Sequence, residues 1–167
     1  MDTMSKECRS RLMSRVKSKD TTSELFVRSL LHRAGYRFRL HVKTLPGKPD
    51  IVLPKYKTII EIRGCFWHSH QNCKQGRIPK TRQEWWTEKL ARNVIRDNTN
   101  TSRLQEAGWR IIVIWDCFFK RVGNNGAKVC LGDVLVYIVS LFLRNKRSNY
   151  IEIDRASYLK IRDGLLL

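Results

Sequence analysis

Residues 109–115 read WRIIVIW, bounded by Gly108 and by Asp116. Apart from Arg110 at its start the run is apolar throughout, and a strand of that kind cannot turn one face to water, so it belongs inside a sheet covered on both sides. The surrounding segments supply the cover. Thr21 and Glu24 fit a capping box for a helix whose apolar face is Leu25, Phe26, Leu30 and Leu31 and which ends at Gly35. YRFRLH (36–41), DIVLP (50–54) and KTIIEIR (57–63) are short β-branched or aromatic runs separated by Pro and Gly, which predicts a meander of three strands. Residues 82–106 have helical period without a breaker and stop at Gly108, and a loop with GNNG (123–126) leads to a last apolar helix near 131–144. The order helix, three strands, helix, strand, helix predicts an α/β fold with a mixed central sheet flanked by helices.

One domain accommodates all of this: 167 residues are enough for a single core, and no repeat or Pro/Gly linker divides them. The expected division is a basic N-terminal arm over 1–20 that orders on a partner, a domain over 21–145, and a C-terminal tail over 146–167, including NYIEI, with no assigned role. The longest apolar run, VLVYIVSLFL (134–143), falls short of the roughly 18 residues that cross a bilayer, and the N-terminus lacks the apolar stretch of a signal peptide. Against 15 acidic residues stand 33 Lys and Arg, a net charge of +18. Such a charge draws polyanions, nucleic acid first and an anionic membrane surface second. Five cysteines without a secretion signal favour reduced thiols or metal ligands over disulfides, in a cytoplasmic protein with nucleic acid at hand.

The densest chemistry lies in EIRGCFWHSHQNC, residues 61–73. Cys65, His70 and Cys73 are spaced C-x4-H-x2-C, which lets one loop converge on a tetrahedral ion. Cys117, just beyond the apolar strand, is the best fourth ligand for a structural Zn²⁺, which would hold a polar loop (64–79) that has little else to order it. Inert buried thiols are the alternative for Cys65 and Cys117. Cys8 and Cys130 have no comparable partners and read as a tail thiol and a core residue.

Upstream, Asp50 opens one strand and Glu61-Ile62-Arg63 closes the next. Antiparallel pairing would set Asp50 beside Glu61, with the Ile62 carbonyl available: a cluster of hard oxygens suited to Mg²⁺, with Arg63 able to stabilise charge on a phosphate or to orient water. This is the PD-(D/E)xK nuclease pattern with arginine in the lysine position. His68, not needed for tetrahedral coordination, could take a proton from an attacking water. The plainer readings are a turn residue for Asp50, an edge-strand charge for Glu61, the capping-box acid for Glu24 and a surface histidine or an alternative zinc ligand for His68. Phe66 and Trp67 sit in a polar loop, as apolar wedges that open a duplex do, or else they pack over the metal loop. Of Trp85 and Trp86, one is expected to face the core and the other to be free. Lys89, Arg92, Asn93 and Arg96 share one face of the long helix, with Leu90, Val94 and Leu104 on another, giving a ridge for phosphates or simply a solvated face.

Over about residues 5–120, the segments MSRVKSKDTTSE, LPGKPDIVL, GCFWHSH, PKTRQEWWTEKLARNVIRD and LQEAGWRIIVIWDC resemble the very short patch repair (Vsr) DNA mismatch endonucleases. The resemblance implies a restriction-endonuclease-like fold and a strand-specific nick beside a T:G mismatch that arises by deamination of 5-methylcytosine. It further implies Asp50 as the Mg²⁺ carboxylate, the Ile62 carbonyl as a second metal contact, His68 as general base and Glu24 as support. Cys65, His70, Cys73 and Cys117 become the Zn²⁺ ligands, and Phe66, Trp67 and Trp86 the aromatics inserted at the mismatch. The partners implied are double-stranded DNA and other mismatch-repair proteins, for a monomer at the bacterial nucleoid. This chain departs from the family in carrying an acid at Glu61, in a His70–Cys73 spacing one residue longer than in some relatives, and in residues 121–167, which match nothing recognisable. A nuclease of the same type with a restriction-type target, and a non-catalytic zinc-containing DNA-binding module, are the alternatives.

Overall fold

A computed structural model describes residues 5–14, 19–119 and 131–162; the GNNG loop, Cys130 and parts of the N-terminal arm (1–4 and 15–18) lie outside the described residues. Five strands form one mixed sheet in the order β1-β2-β3-β4-β5: β1 Arg39–Leu40, β2 Ile51–Leu53, β3 Thr58–Arg63, β4 Arg110–Trp115 and β5 Tyr150–Ile153. The first three are the antiparallel meander, with Ile51 opposite Ile60, and β4 and β5 then add in parallel. The parallel steps need crossovers. Helix α3 (Gln83–Glu106) links β3 to β4, and α4 (Leu131–Arg144) lies between β4 and β5.

The apolar run behaves as its composition requires. Ile112 and Ile114 join Val27 and Leu31 of α2 (Thr22–Arg33) and Leu135, Val139 and Phe142 of α4 in one core. Ile111, Val113 and Trp115 face the other way, with Val52, Ile59, Cys65, Cys117 and Leu104 of α3. Both faces of β4 are thus buried, and β4 is an interior strand.

Four features differ from the sequence expectation. The first strand shrinks to the exposed pair Arg39–Leu40, because His41 takes a left-handed conformation (φ 47°) that ends it. In α2 the capping box is present, but Leu25 and Phe26 are exposed and the buried positions are Glu24, Val27, Arg28, Leu30 and Leu31. Positions 24, 27, 28 and 31 have ideal helical spacing, yet two of them are charged and bury by pairing with each other, at 2.7 Å. Within the expected arm, Lys6–Ser14 is a helix, α1. The expected tail instead supplies edge strand β5 and helix α5 (Arg155–Arg162), which packs near the turn after β4. Among the described residues no helix is long and apolar enough to cross a membrane.

Candidate active site and metal centre

The β2–β3 register, carried one pair outward, sets Asp50 opposite Glu61. The Ile62 N–H donates to Asp50 Oδ2 at 2.8 Å. Burial raises the Asp50 carboxyl to a pKa of about 6, the Ile62 N–H opposes that rise, and the neighbouring Glu24 and Glu61 add to it. Three carboxylates therefore converge with too little positive charge on Asp50, a deficit that a divalent cation would relieve. Glu61 is held by Arg63, whose Nε and terminal nitrogen donate to Glu61 Oε2 at 2.9 and 2.5 Å, and which reaches Thr101 Oγ1 on α3 at 3.3 Å. Arg63 is 8% exposed. Its guanidinium is turned onto Glu61 while the residue still lines the groove beside Asp50.

Glu24 combines two jobs. It closes the capping box with Thr21 and accepts from Arg28, which also pairs with Asp20 at 2.5 Å and meets His41 Nε2 at 2.9 Å. Asp20, Glu24 and His41 could together reach a metal ion, but the Arg28 guanidinium already stands among them as their cation.

His68 Nδ1 lies 2.5 Å from Asp97 Oδ2. Burial would raise the Asp97 carboxyl, but the bond and charge of His68, with Arg63 and Arg96, bring it below its ordinary value. An acid at Nδ1 fixes that nitrogen as the donor and leaves Nε2 to accept a proton. Asp97 was not singled out from sequence; its only signal is an acid on a basic helix, one residue beyond Arg96. Asp50, Glu61, Ile62, Arg63, His68 and Asp97 all line one open groove.

Parallel β3 and β4 finish level, Arg63 beside Trp115, so Cys65 and Cys117 emerge together two residues later. One ligand atom from each of Cys65, His70, Cys73 and Cys117 lies within 4.8 Å of the others, with His70 Nδ1 3.5 Å from Cys117 Sγ. The loop is drawn tight by the His70 N–H to the Cys65 carbonyl (2.9 Å) and the Gly76 N–H to the Cys73 carbonyl (3.0 Å). Burial raises the Cys65 and Cys117 thiols, so holding both as thiolates calls for a cation between them. A closed set of three sulfurs and one imidazole matches the donor chemistry of a structural zinc site. Cys8 lies exposed on α1.

Phe66, Trp67 and Trp86 form one aromatic cluster, with centroids 5.0 to 6.1 Å apart, and Trp85 leans on Trp86 at 4.7 Å. Trp85 is exposed and Trp86 half-buried in this cluster, not in the core. The Lys89 ammonium lies over Trp85 at 4.7 Å. The other helix residues divide: Asn93 donates to the Trp67 carbonyl at 3.0 Å and so holds the aromatic loop, Arg92 pairs with Glu88, and Arg96 pairs with Asp97 while staying exposed.

Residues 1–75 match the family model described as DNA mismatch endonuclease Vsr. The chain is 47% identical over 128 residues to the type II nicking enzyme V.XorIIP of Xanthomonas oryzae pv. oryzae, covering 77% of this chain and 93% of that protein. It is 45% identical over 112 residues to the type II nicking enzyme V.NmeAIP of Neisseria meningitidis, covering 67% and 79%. To the DNA mismatch endonuclease Vsr of Escherichia coli K12 it is 43% identical over 116 residues, covering 70% and 74%.

Proposed function

We infer, for a chain that belongs to the Vsr family of DNA mismatch endonucleases, that it is a DNA endonuclease of very short patch repair, nicking one strand beside a T:G mismatch. The observation that carries this reading is the shared groove: the Asp50–Glu61 carboxylates and the His68–Asp97 pair line it, and Trp67 of the aromatic cluster reaches its wall. The fold is read as restriction-endonuclease-like on the meander and parallel strand that place these carboxylates.

Asp50, Glu61 and the Ile62 carbonyl would hold Mg²⁺, which when bound polarises a phosphate and acidifies water. Arg63 keeps Glu61 pointed at Asp50, and Glu24, fixed by Arg28, supports the site from α2. His68 accepts the proton of the attacking water at Nε2, and Asp97 holds the ring and the charge that the ring gains. Phe66, Trp67 and Trp86 act as wedges at the mismatch, with Lys89, Arg92 and Arg96 near phosphates and Asn93 steadying Trp67. Zn²⁺ at Cys65, His70, Cys73 and Cys117 keeps the loop carrying His68 in shape. The protein is read as a cytoplasmic monomer acting with other repair proteins.

The test is a panel of T:G, otherwise mismatched and fully paired duplexes, with and without Mg²⁺. A Mg²⁺-dependent nick in one strand of the T:G duplex is expected. Cutting of paired duplex without mismatch preference would point to a restriction-type target, and tight binding without cutting would point to a binding module.

A further inference from the structure

The strand that closes the sheet alternates. Ile151 and Ile153 pack against the α2–α4 core, whereas Tyr150 packs on the opposite side, with the cluster containing Cys65 and Cys117. Residues two apart on a strand share a face, so Glu152 and Asp154 follow Tyr150 toward the four-ligand cluster. Glu152 accepts from the Trp115 indole at 2.8 Å and from the Tyr150 hydroxyl at 2.5 Å. That same indole lies flat on the His70 ring, with centroids 4.1 Å apart and planes 7° apart. Asp154 Oδ2 stands 3.8 Å from His70 Nε2, the ring nitrogen turned away from Cys117. Its other oxygen, Oδ1, caps α5 by accepting from the Ser157 N–H at 2.9 Å.

We propose that residues 150–154 form the outer shell of the metal centre around His70: Asp154 is a positioning residue for His70, and Glu152 fixes Trp115 as the platform beneath that ring. The proposal rests on reading the cluster as a zinc site. Two separate contacts from one short segment converge on one ligand, one at its far nitrogen and one, through Trp115, beneath its ring. A carboxylate at the far nitrogen sets the tautomer and orientation of a metal-bound imidazole. The split carboxylate has a further consequence. Because one oxygen caps α5 and the other faces His70, a single side chain serves the C-terminal helix and the ligand through separate atoms.

The split also separates the two roles experimentally. Asp154→Asn keeps a good helix cap but removes the charge facing His70. Ser157→Ala weakens the cap and leaves Oδ2 in place. Zinc affinity of the full chain is measured by competition with a chromogenic chelator, beside thermal melting. Wild type should bind one zinc per chain. Asp154→Asn should bind it about 10- to 100-fold more weakly, the usual effect of removing such a partner. Ser157→Ala should melt earlier with zinc affinity within about threefold of wild type, a range well inside that effect. Unchanged affinity in Asp154→Asn, or an equal loss in Ser157→Ala, would overturn the positioning role while leaving the zinc site intact. A wild-type chain that takes up no zinc would instead refute the metal reading beneath it.

Discussion

Asp50 sits where burial and two neighbouring carboxylates all disfavour its charge, and its pKa of about 6 carries a stability consequence. Between the ordinary value of 3.8 and about 6, the folded metal-free chain holds a proton that the unfolded chain has released. This contribution to stability therefore falls as pH rises through that window, and the full cost is present above it. Asp50→Asn keeps an acceptor for the Ile62 N–H and removes the charge. Without metal it should be more stable than wild type by about 2 kcal/mol at pH 7.5, with the gap closing toward pH 4, as denaturant titrations at the two pH values would read. The same substitution should abolish nicking while leaving DNA binding nearly intact, which a gel-shift assay beside the nicking assay would check. At His68 the expectation is kinetic. Asp97→Asn loses the acid that fixes the Nδ1 donor, so single-turnover nicking should slow by about 10²-fold or more with little change in DNA affinity, a general base being worth about 10² to 10⁴.

Helices and loops place these groups, and close backbone approaches show how. A Cβ on Gly76 would fall 2.7 Å from the His70 carbonyl oxygen and 3.3 Å from that of Cys65. Both are backbone atoms of the ligand loop, so nothing flexible can yield. Gly76→Ala should loosen that loop, lowering zinc affinity and melting temperature together, whereas the zinc-stripped variant and zinc-stripped wild type should melt alike. Helix α3 illustrates how one element serves several sites. Along its length it contributes Trp86 to the aromatic cluster, Asn93 to the Trp67 carbonyl, Asp97 to His68 and Thr101 to Arg63. Its helical period and basic character are evident from sequence. Which positions meet which loop is not, because that depends on where α3 lies across the sheet.

For the whole molecule, charge governs the encounter with DNA. With a net +18 and basic side chains flanking the groove, affinity for duplex should fall steeply with salt, by about 10³-fold between 50 and 200 mM if some six phosphates are neutralised. Binding isotherms across that range would measure it, and a flat dependence would contradict a backbone-tracking surface.

The amino-acid sequence by itself determined the α/β order, the antiparallel meander, the two-sided burial of WRIIVIW and the four clustered metal-type ligands, because each follows from local period, turn residues or short spacing. It also singled out Asp50, Glu61 and His68, since their residue types and strand-end positions limit what they can do. Only the tertiary structure decided that Arg63 turns onto Glu61, that Asp97 partners His68 across 29 positions, and that residues 146–162 complete the sheet instead of trailing from it. The physical reason is common to all three. A side chain's partner is chosen by the packing of distant elements, and a short strand such as YIEI carries too few residues for its alternation to stand out until a neighbouring strand gives it a face to bury.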